Sequence, residues 1–513
     1  MEGIITQFGI LFLLAALFIF DGLFKLVPLF AIIAEVYSLF LDSQKKTPQQ
    51  KELTKNQKLT WQELKKHDNQ SSAYVAIKGK VYDVTSFLNS HPGGREFLLL
   101  NCGRDATLAF QSYHPFSDKP EKLLEKYLIG DLLTTEWPTF KPDSGFYKEC
   151  AERVKKYFQS KGINPKTPIP GLVRAIPLWT CFFYTFYLTF VSDQLCLTKR
   201  ILIGTIFGIL QALNTLHLMH DASHGAVGNN EKWWWFFGRL TLDYISGSSM
   251  VAWQNQHVIG HHQYTNIMGS DPDIPQLKEG DVRRLVKEQI WCAMYKYQHL
   301  YMPILYGLLS LRSRYYDVFE IFLKETDGPV KVNPISLQDK LRQASSKLLW
   351  LFWRYYLPVQ VFGMSQSQFW FLFIYVEFIT GYWLAINFQV SHVSDEAEFF
   401  YNNVEKVAKN GTNEQWPIEW AVLQIKSSVD YSHGNWLMTY LCGALNYQVI
   451  HHLFPGVSQY LYPEIAPIVL EVCKKYNLKY NLLPGFKEAW NGHFNHLKNM
   501  GQQNKFVGFA KME

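Results

Sequence analysis

Residues 200–224 read RILIGTIFGILQALNTLHLMHDASH, an apolar run that closes on two histidines four positions apart, His220 and His224. A helix needs about 20 such residues to cross a bilayer. A pair at i and i+4 on a helix puts both imidazoles on one face. The stretch therefore reads as a membrane helix that delivers paired nitrogen donors to one of its ends. The pattern recurs in Gln256-His257-Val258-Ile259-Gly260-His261-His262 and in Gln448-Val449-Ile450-His451-His452, just ahead of Leu453-Phe454-Pro455. Seven of the sixteen histidines fall in these three clusters. Ionisable residues beside membrane spans are costly and usually functional, and imidazole is a good ligand for iron. None of the clusters contains the thiolates of a structural zinc site, and one zinc needs only about four ligands, whereas two irons sharing about eight to ten would use this many. A single box is adequately read as solvated histidines beside a span; three boxes with recurring spacing are not.

Further apolar spans at 175–192, 347–364 and 368–391 join the one at 200–219. They suggest two hairpins and four main transmembrane helices, with the aromatic but interrupted stretches 233–253 and 297–313 at the interface. Residues 5–41 are also apolar, broken only by Asp21, Gly22, Lys25, Pro28 and Glu35. Without a basic start or a clear cleavage site, this stretch reads as one anchor or a hairpin and not as a signal peptide. Hydrophobic residues make up 48% and aromatics 16% of the 513 residues, yet mean hydropathy is only −0.10, so aqueous portions must offset the apolar ones. The seven cysteines are scattered without CxxC spacing, which argues against a disulfide framework and for a reducing compartment. A net charge of +6 with no long basic run implies no nucleic-acid partner. The lipid bilayer is the partner that composition supports.

A second constellation precedes the spans. His91-Pro92-Gly93-Gly94 is followed twenty-three positions later by His114. Two imidazoles from opposite walls of a pocket can fill both axial positions of one haem iron, which then carries electrons and has no open site for O₂. Gly93 and Gly94 allow the tight turn, and Phe87, Leu98 and Phe110 would keep the cavity dry. His91 alone reads as a surface turn residue. The alternating runs Tyr74-Val75-Ala76-Ile77 and Val81-Tyr82-Asp83-Val84 around it indicate a small soluble α+β domain over 59–133.

The string Trp61, Tyr82-Asp83-Val84-Thr85-Ser86-Phe87, His91-Pro92-Gly93-Gly94, Asp105-Ala106-Thr107 and Ile129-Gly130-Asp131-Leu132 resembles cytochrome b5 in order and spacing, which implies His91 and His114 as axial ligands of haem b. The order HxxxH, HxxxHH, QxxHH resembles the membrane fatty acid desaturases, and Gln448 in place of a histidine resembles their cytochrome b5-fused front-end group. The likeness extends over about 143–470, including Phe146-Tyr147, Gly162-Ile163-Asn164-Pro165-Lys166, Gln263-Tyr264-Thr265-Asn266 and Leu445-Asn446-Tyr447. By that resemblance His220, His224, His257, His261, His262, His451 and His452 bind a di-iron centre, His392 is a further ligand, and Gln448 is either a weak ligand or an outer donor. Asp221 could orient an imidazole or be a helix-end charge. Asn387 is a candidate for an asparagine used by the family, although its spacing from His392 does not match. His217 stays outside the ligand set, Asp271-Pro272-Asp273 reads as a turn, and His433, His493 and His496 receive no role. Asn410-Gly411-Thr412 fits a glycosylation acceptor, but the topology puts it on the cytosolic side.

The expected organisation is multi-domain: an anchor (1–42), a polar linker (43–58), the haem domain (59–133), a linker with an amphipathic helix (134–174), an all-α integral membrane desaturase domain (175–485) and a tail (486–513). The resemblance implies an enzyme that takes O₂ as co-substrate and inserts a cis double bond, most often Δ5 or Δ6, into a polyunsaturated acyl-CoA or phospholipid acyl chain. Electrons would come from NADH through a separate NADH-cytochrome b5 reductase, since the chain has no GxGxxG followed by an acidic residue. The expected location is the endoplasmic reticulum, with the haem domain and boxes facing the cytosol. A sphingolipid Δ8 desaturase, a haem-fused lipid hydroxylase and a membrane-tethered haem electron carrier are the competing readings.

Overall fold

The computed structural model describes residues 56–276, 281–324, 326–401 and 411–502, together with 27–29, 33 and 37. The expected anchor and linker therefore lie almost wholly outside the described residues, as does Asn410.

Alternating apolar residues between 72 and 83 form a hairpin. Strand β3 (Ser72–Ile77) pairs antiparallel with β4 (Lys80–Asp83). Lys78 and Gly79, both at positive φ, make the two-residue turn whose twist suits such a hairpin. With β1 (Gln57–Leu59), β2 (Asp68–Asn69) and β5 (Leu128–Leu132) they give a five-stranded sheet in the order β1-β5-β4-β3-β2, in which β1 runs parallel to β5. One side of the sheet buries Val75, Ile77, Val84, Leu88 and Cys102, beneath the helices α1 (Arg95–Leu100) and α2 (Thr107–Tyr113). This is the small α+β unit expected from the sequence.

The segment that follows is part of the second unit's body. Thr139–Lys141 pairs with Gln415–Glu419. Helix α3 (Phe146–Lys161) buries Phe146, Tyr147, Cys150, Val154 and Phe158 in a core shared with Leu453, Phe454, Ile465 and Val469. Its apolar face follows the helical period, and Gly162 at positive φ closes it.

Three helices among the described residues are long and apolar enough to cross a membrane: α4 (Ile169–Val191), α5 (Leu197–Ser223) and α8 (Gln366–His392). Helices α5 and α8 pack closely because Gly208 has no side chain: a Cβ there would lie 2.9 Å from Ile379 and 3.0 Å from the Val376 carbonyl. The fourth span expected at 347–364 is not among these three. That stretch belongs to a helix, α7 (Leu337–Leu351), continued by the π-helical Phe352–Val361. It carries Lys347 and a fully buried Arg354, so its apolar run is broken by charge. The interfacial reading finds helices at Glu231–Arg239 and Gln298–Tyr306, which leave Trp233, Phe236, Leu300 and Ile304 more than half exposed. Residues 486–502, expected as tail, form a helix, α10 (Phe486–Gln502), whose Ala489, His493, His496 and Leu497 are buried. His493 is held by the Val393 carbonyl and the Tyr306 hydroxyl, and His496 by the Leu285 carbonyl.

Candidate metal centre and haem pocket

The helix that carries the first box changes pitch before it ends. Thr215–Met219 is a π-helical turn, after which His220–Ser223 is α-helical. The second box follows Met250–Trp253, which we label α6, within a π-helical stretch, Gln254–His261. Such turns are common at functional sites, and this one alters the pairing expected from the sequence. In a π-helix the neighbours along the axis are i and i+5, so His257 Nε2 approaches His262 Nε2 at 3.1 Å. His261, the i+4 partner, turns instead to His392 at the end of α8, with 3.3 Å between their Nε2 atoms. The third box lies on α9 (Gln448–Leu453), an ordinary helix, where Gln448 Nε2 lies 3.1 Å from His452 Nε2 at i+4 and 2.8 Å from His392 Nε2.

All eight imidazoles are buried and gather in two overlapping groups. One contains His220, His224, His257 and His451; the other contains His261, His392 and His452; His262 bridges towards His451 and His452. His257 and His261 also come within reach of Asp273. The donor set fits first-row metal ions such as iron. Buried polar atoms are normally satisfied, yet His224 Nε2, His451 Nε2, His220 Nδ1, His262 Nδ1 and Gln448 Oε1 have no hydrogen-bond partner among the described residues.

Five of the rings are held from outside through Nδ1. His261 Nδ1 lies 3.1 Å from Asp271 Oδ2, His392 Nδ1 3.1 Å from the Ser427 carbonyl, and His452 Nδ1 2.8 Å from Gln424 Oε1. His451 Nδ1 lies 3.1 Å from the Tyr462 hydroxyl and His224 Nδ1 2.7 Å from the Tyr113 hydroxyl. Groups of this kind fix ring orientation and tautomer at metal sites. Burial keeps the imidazoles of His257, His262, His451 and His452 well below the ordinary histidine value. Burial acts the same way on His261, but Asp271 and Asp273 overcome it and push that ring up to about 9.

The residues set aside in the sequence fall as follows. His217 bonds to the Tyr440 carbonyl at 2.9 Å and joins neither group. Asp221 accepts from Ser458 and the Gln459 backbone and orients no imidazole. Asn387 donates to the Trp383 carbonyl of its own helix. Asp271-Pro272-Asp273 does form a turn, with Asp273 N bonded to Asp271 Oδ1 at 2.9 Å, but Asp271 also holds His261. Sequence reasoning missed that role, along with Gln424, Tyr462 and Tyr113.

In the first unit, His91 and His114 face each other with ring centroids 6.4 Å apart. His91 Nδ1 is fixed by the Gly94 carbonyl at 2.8 Å and His114 Nδ1 by the Phe110 carbonyl at 2.9 Å, which leaves both Nε2 atoms for the pocket between them. Gly93 sits where a Cβ would come 2.7 Å from the His91 ring, so glycine is required there. Burial lowers both imidazoles, His114 to about 4, and the neutral form is the one that ligates iron.

Comparison with known proteins agrees with this arrangement of two units. A "Fatty acid desaturase" family model matches residues 200–484, and a "Cytochrome b5-like Heme/Steroid binding domain" model matches 60–133. The chain belongs to the fatty acid desaturase family and is an oxygen-dependent oxidoreductase of lipid metabolism that carries a cytochrome b5-like haem domain on the N-terminal side of its helical desaturase domain. Delta(5) fatty acid desaturase A of Dictyostelium discoideum is 39% identical over 450 residues, covering 87% of this chain and 95% of that protein. Acyl-lipid (8-3)-desaturase B of the same organism is 39% identical over the same shares of both chains. Acyl-lipid (8-3)-desaturase of Mortierella alpina is 35% identical over 450 residues, 87% of this chain and 98% of that one.

Proposed function

We propose that this desaturase is a front-end enzyme that inserts a cis double bond at Δ5 of a polyunsaturated acyl chain, with electrons supplied by its own haem domain. The observation that carries the reading is the convergence of all seven box histidines and His392 into two adjacent, buried, nitrogen-lined positions. The Delta(5) in the names of two similar proteins supports the position.

In this reading His220, His224, His257 and His451 hold one iron, His261, His392 and His452 the other, and His262 lies between. Gln448 stands beside the second group as a weak ligand or outer donor. His91 and His114 hold haem b. Bound iron at such a site supplies the activation of O₂. The overall change is balanced when two hydrogens leave neighbouring acyl carbons and, with two electrons and two protons from solvent, reduce one O₂ to two waters. The chain's own residues orient the imidazoles, keep those of His257, His262, His451 and His452 neutral by burial and exclude water. Fusion keeps the electron donor at high effective concentration, and NADH-cytochrome b5 reductase would refill it. Helices α4, α5 and α8 cross the bilayer, with α7 beside them as the fourth membrane element, in the endoplasmic reticulum with both centres towards the cytosol.

The test is expression in yeast supplied with di- and tri-unsaturated C20 acids, with double bonds located by gas chromatography–mass spectrometry. A new Δ5 bond, absent in His451→Ala and His91→Ala, is expected. A Δ6 or Δ8 bond, a sphingolipid product or a hydroxylated lipid would overturn the assignment, as would a haem spectrum without any product.

A further inference from the structure

The two units meet through a specific face. Arg104 donates to the Lys331 carbonyl at 2.8 Å and to Asn333 Oδ1 at 2.9 Å, while Asn333 Nδ2 donates to the Leu99 and Cys102 carbonyls, both at 2.9 Å. Phe97 meets Trp234 edge-on at 5.6 Å, and Phe116 stacks on Phe454 at 5.9 Å. Between these contacts the last residue of α2, Tyr113, packs on Val258 and Ile259 of the second-box helix. Its hydroxyl lies 2.7 Å from His224 Nδ1 and its ring is stacked on that imidazole at 6.3 Å. Tyr113 is thus bonded to one candidate metal ligand and covalently adjacent to His114, a candidate haem ligand.

The chemistry of His224 gives this contact a direction. Its Nε2 is buried without a partner and belongs to the first histidine group. With Nε2 free to ligate, the ring proton sits on Nδ1 and is donated to the Tyr113 oxygen. The other described Nδ1 holders at the centre, Asp271, Ser427, Gln424 and Tyr462, belong to the desaturase unit. For His224 alone the holder comes from the haem unit.

We propose that Tyr113 is a positioning residue for the metal centre: the docked haem domain supplies the outer hydrogen-bond partner of His224, so that the iron site is complete only when the electron donor is seated. The same contact makes a short link from the haem side, His114 to Tyr113 along the chain and Tyr113 to His224 through one hydrogen bond. This inference rests on the reading of His224 as an iron ligand. It ties the readiness of the site to accept electrons to the presence of the domain that delivers them.

The test uses the full-length protein in detergent, with Tyr113→Phe and His224→Ala beside the wild type. Non-haem iron retained against a graded chelator is measured together with haem content. Loss of an outer partner at a metal-ligating histidine costs about 10–100-fold in metal affinity or activity. Tyr113→Phe is therefore expected to release iron at a chelator concentration at least about tenfold lower, with haem content and thermal unfolding unchanged. Iron returned in isotopically enriched form should also give a shifted Mössbauer spectrum, which a purely structural role for the tyrosine would not produce. If His224→Ala loses iron while Tyr113→Phe retains it within twofold of the wild type with an unshifted spectrum, the inference about Tyr113 is wrong and the ligand reading stands. If His224→Ala also retains iron as the wild type does, the ligand reading itself fails.

Discussion

Replacing Glu377 with Gln should strongly destabilise the membrane domain and leave the haem domain folded. Glu377 lies in the middle of α8 and is fully buried. It pairs with Arg314 and, at 3.2 Å, with the equally buried Arg354, and it accepts from Ser310 at 2.9 Å and from Gln211 at 3.2 Å. Two guanidiniums thus share one carboxylate. Aromatic faces, Phe190 at 4.5 Å and Phe207 at 4.8 Å among them, surround Arg354, whose Nε and Nη1 have no hydrogen-bond partner among the described residues. Removing one member of a buried pair costs about 3–5 kcal/mol because the remaining charge is left uncompensated. Against a total stability of about 5–15 kcal/mol, that is a large share. The assay is the fraction of monodisperse protein and its melting temperature in detergent, with haem absorbance as a separate probe of the first unit. Glu377→Gln should lower the melting temperature of the membrane unit sharply and leave the haem band in place. Adding Arg354→Met should recover part of the loss, since apolar replacement of a buried pair is often neutral. A Glu377→Gln protein as stable as the wild type, or no recovery in the double variant, would refute the reasoning.

Other outcomes follow from the same geometry. Asp271→Asn removes the charge that holds His261 and that also accepts from Asn266 N at 2.8 Å; desaturation in yeast should fall by about 10–100-fold, and wild-type activity would contradict the role of Asp271. Gly208→Val places a branched side chain 2.9 Å from Ile379 and should reduce the yield of folded protein by overpacking α5 against α8, seen as aggregation on size-exclusion chromatography. His114 is held by burial at about 4, below the ordinary 6.5. The unfolded chain therefore binds its proton first, and the haem-free domain should lose stability as pH falls from about 6.5 towards 4. Urea midpoints that stay flat across that window in the wild type, or that fall equally in His114→Ala, would count against this.

The histidine spacing marked each box as a candidate, because a box needs only its own sequence neighbours to be seen. It did not reveal how the boxes divide. Read as an α-helix, Gln254–His261 pairs His257 with His261; as a π-helix it pairs His257 with His262 and sends His261 to His392. That pitch is set by packing against other elements, which a local pattern does not encode. The outer partners were hidden for the same reason: Tyr113 is 111 positions from His224, and Gln424 is 28 from His452. In the haem unit the two central strands at 72–77 and 80–83 were legible because their alternation is local, whereas β1, β2 and β5 were not read as strands. The stretch at 347–364 does not name the partner of its own charge: Arg354 is buried against Glu377 of α8. The helix at Phe486–Gln502 looked like a tail because its polar face dominates its composition, while Ala489, His493 and Leu497 make the buried stripe.

The account turns on two non-haem irons fed by one haem in the same chain, and the most direct measurement is the metal content of the purified full-length protein. Haem is quantified by its pyridine adduct and total iron by mass spectrometry. The prediction is two non-haem irons for each haem, with the iron held by His220, His224, His257 and His451 lost in His451→Ala while haem is retained, and haem alone lost in His91→Ala. Haem iron with no further iron in the wild-type protein would contradict it and leave a membrane-tethered electron carrier.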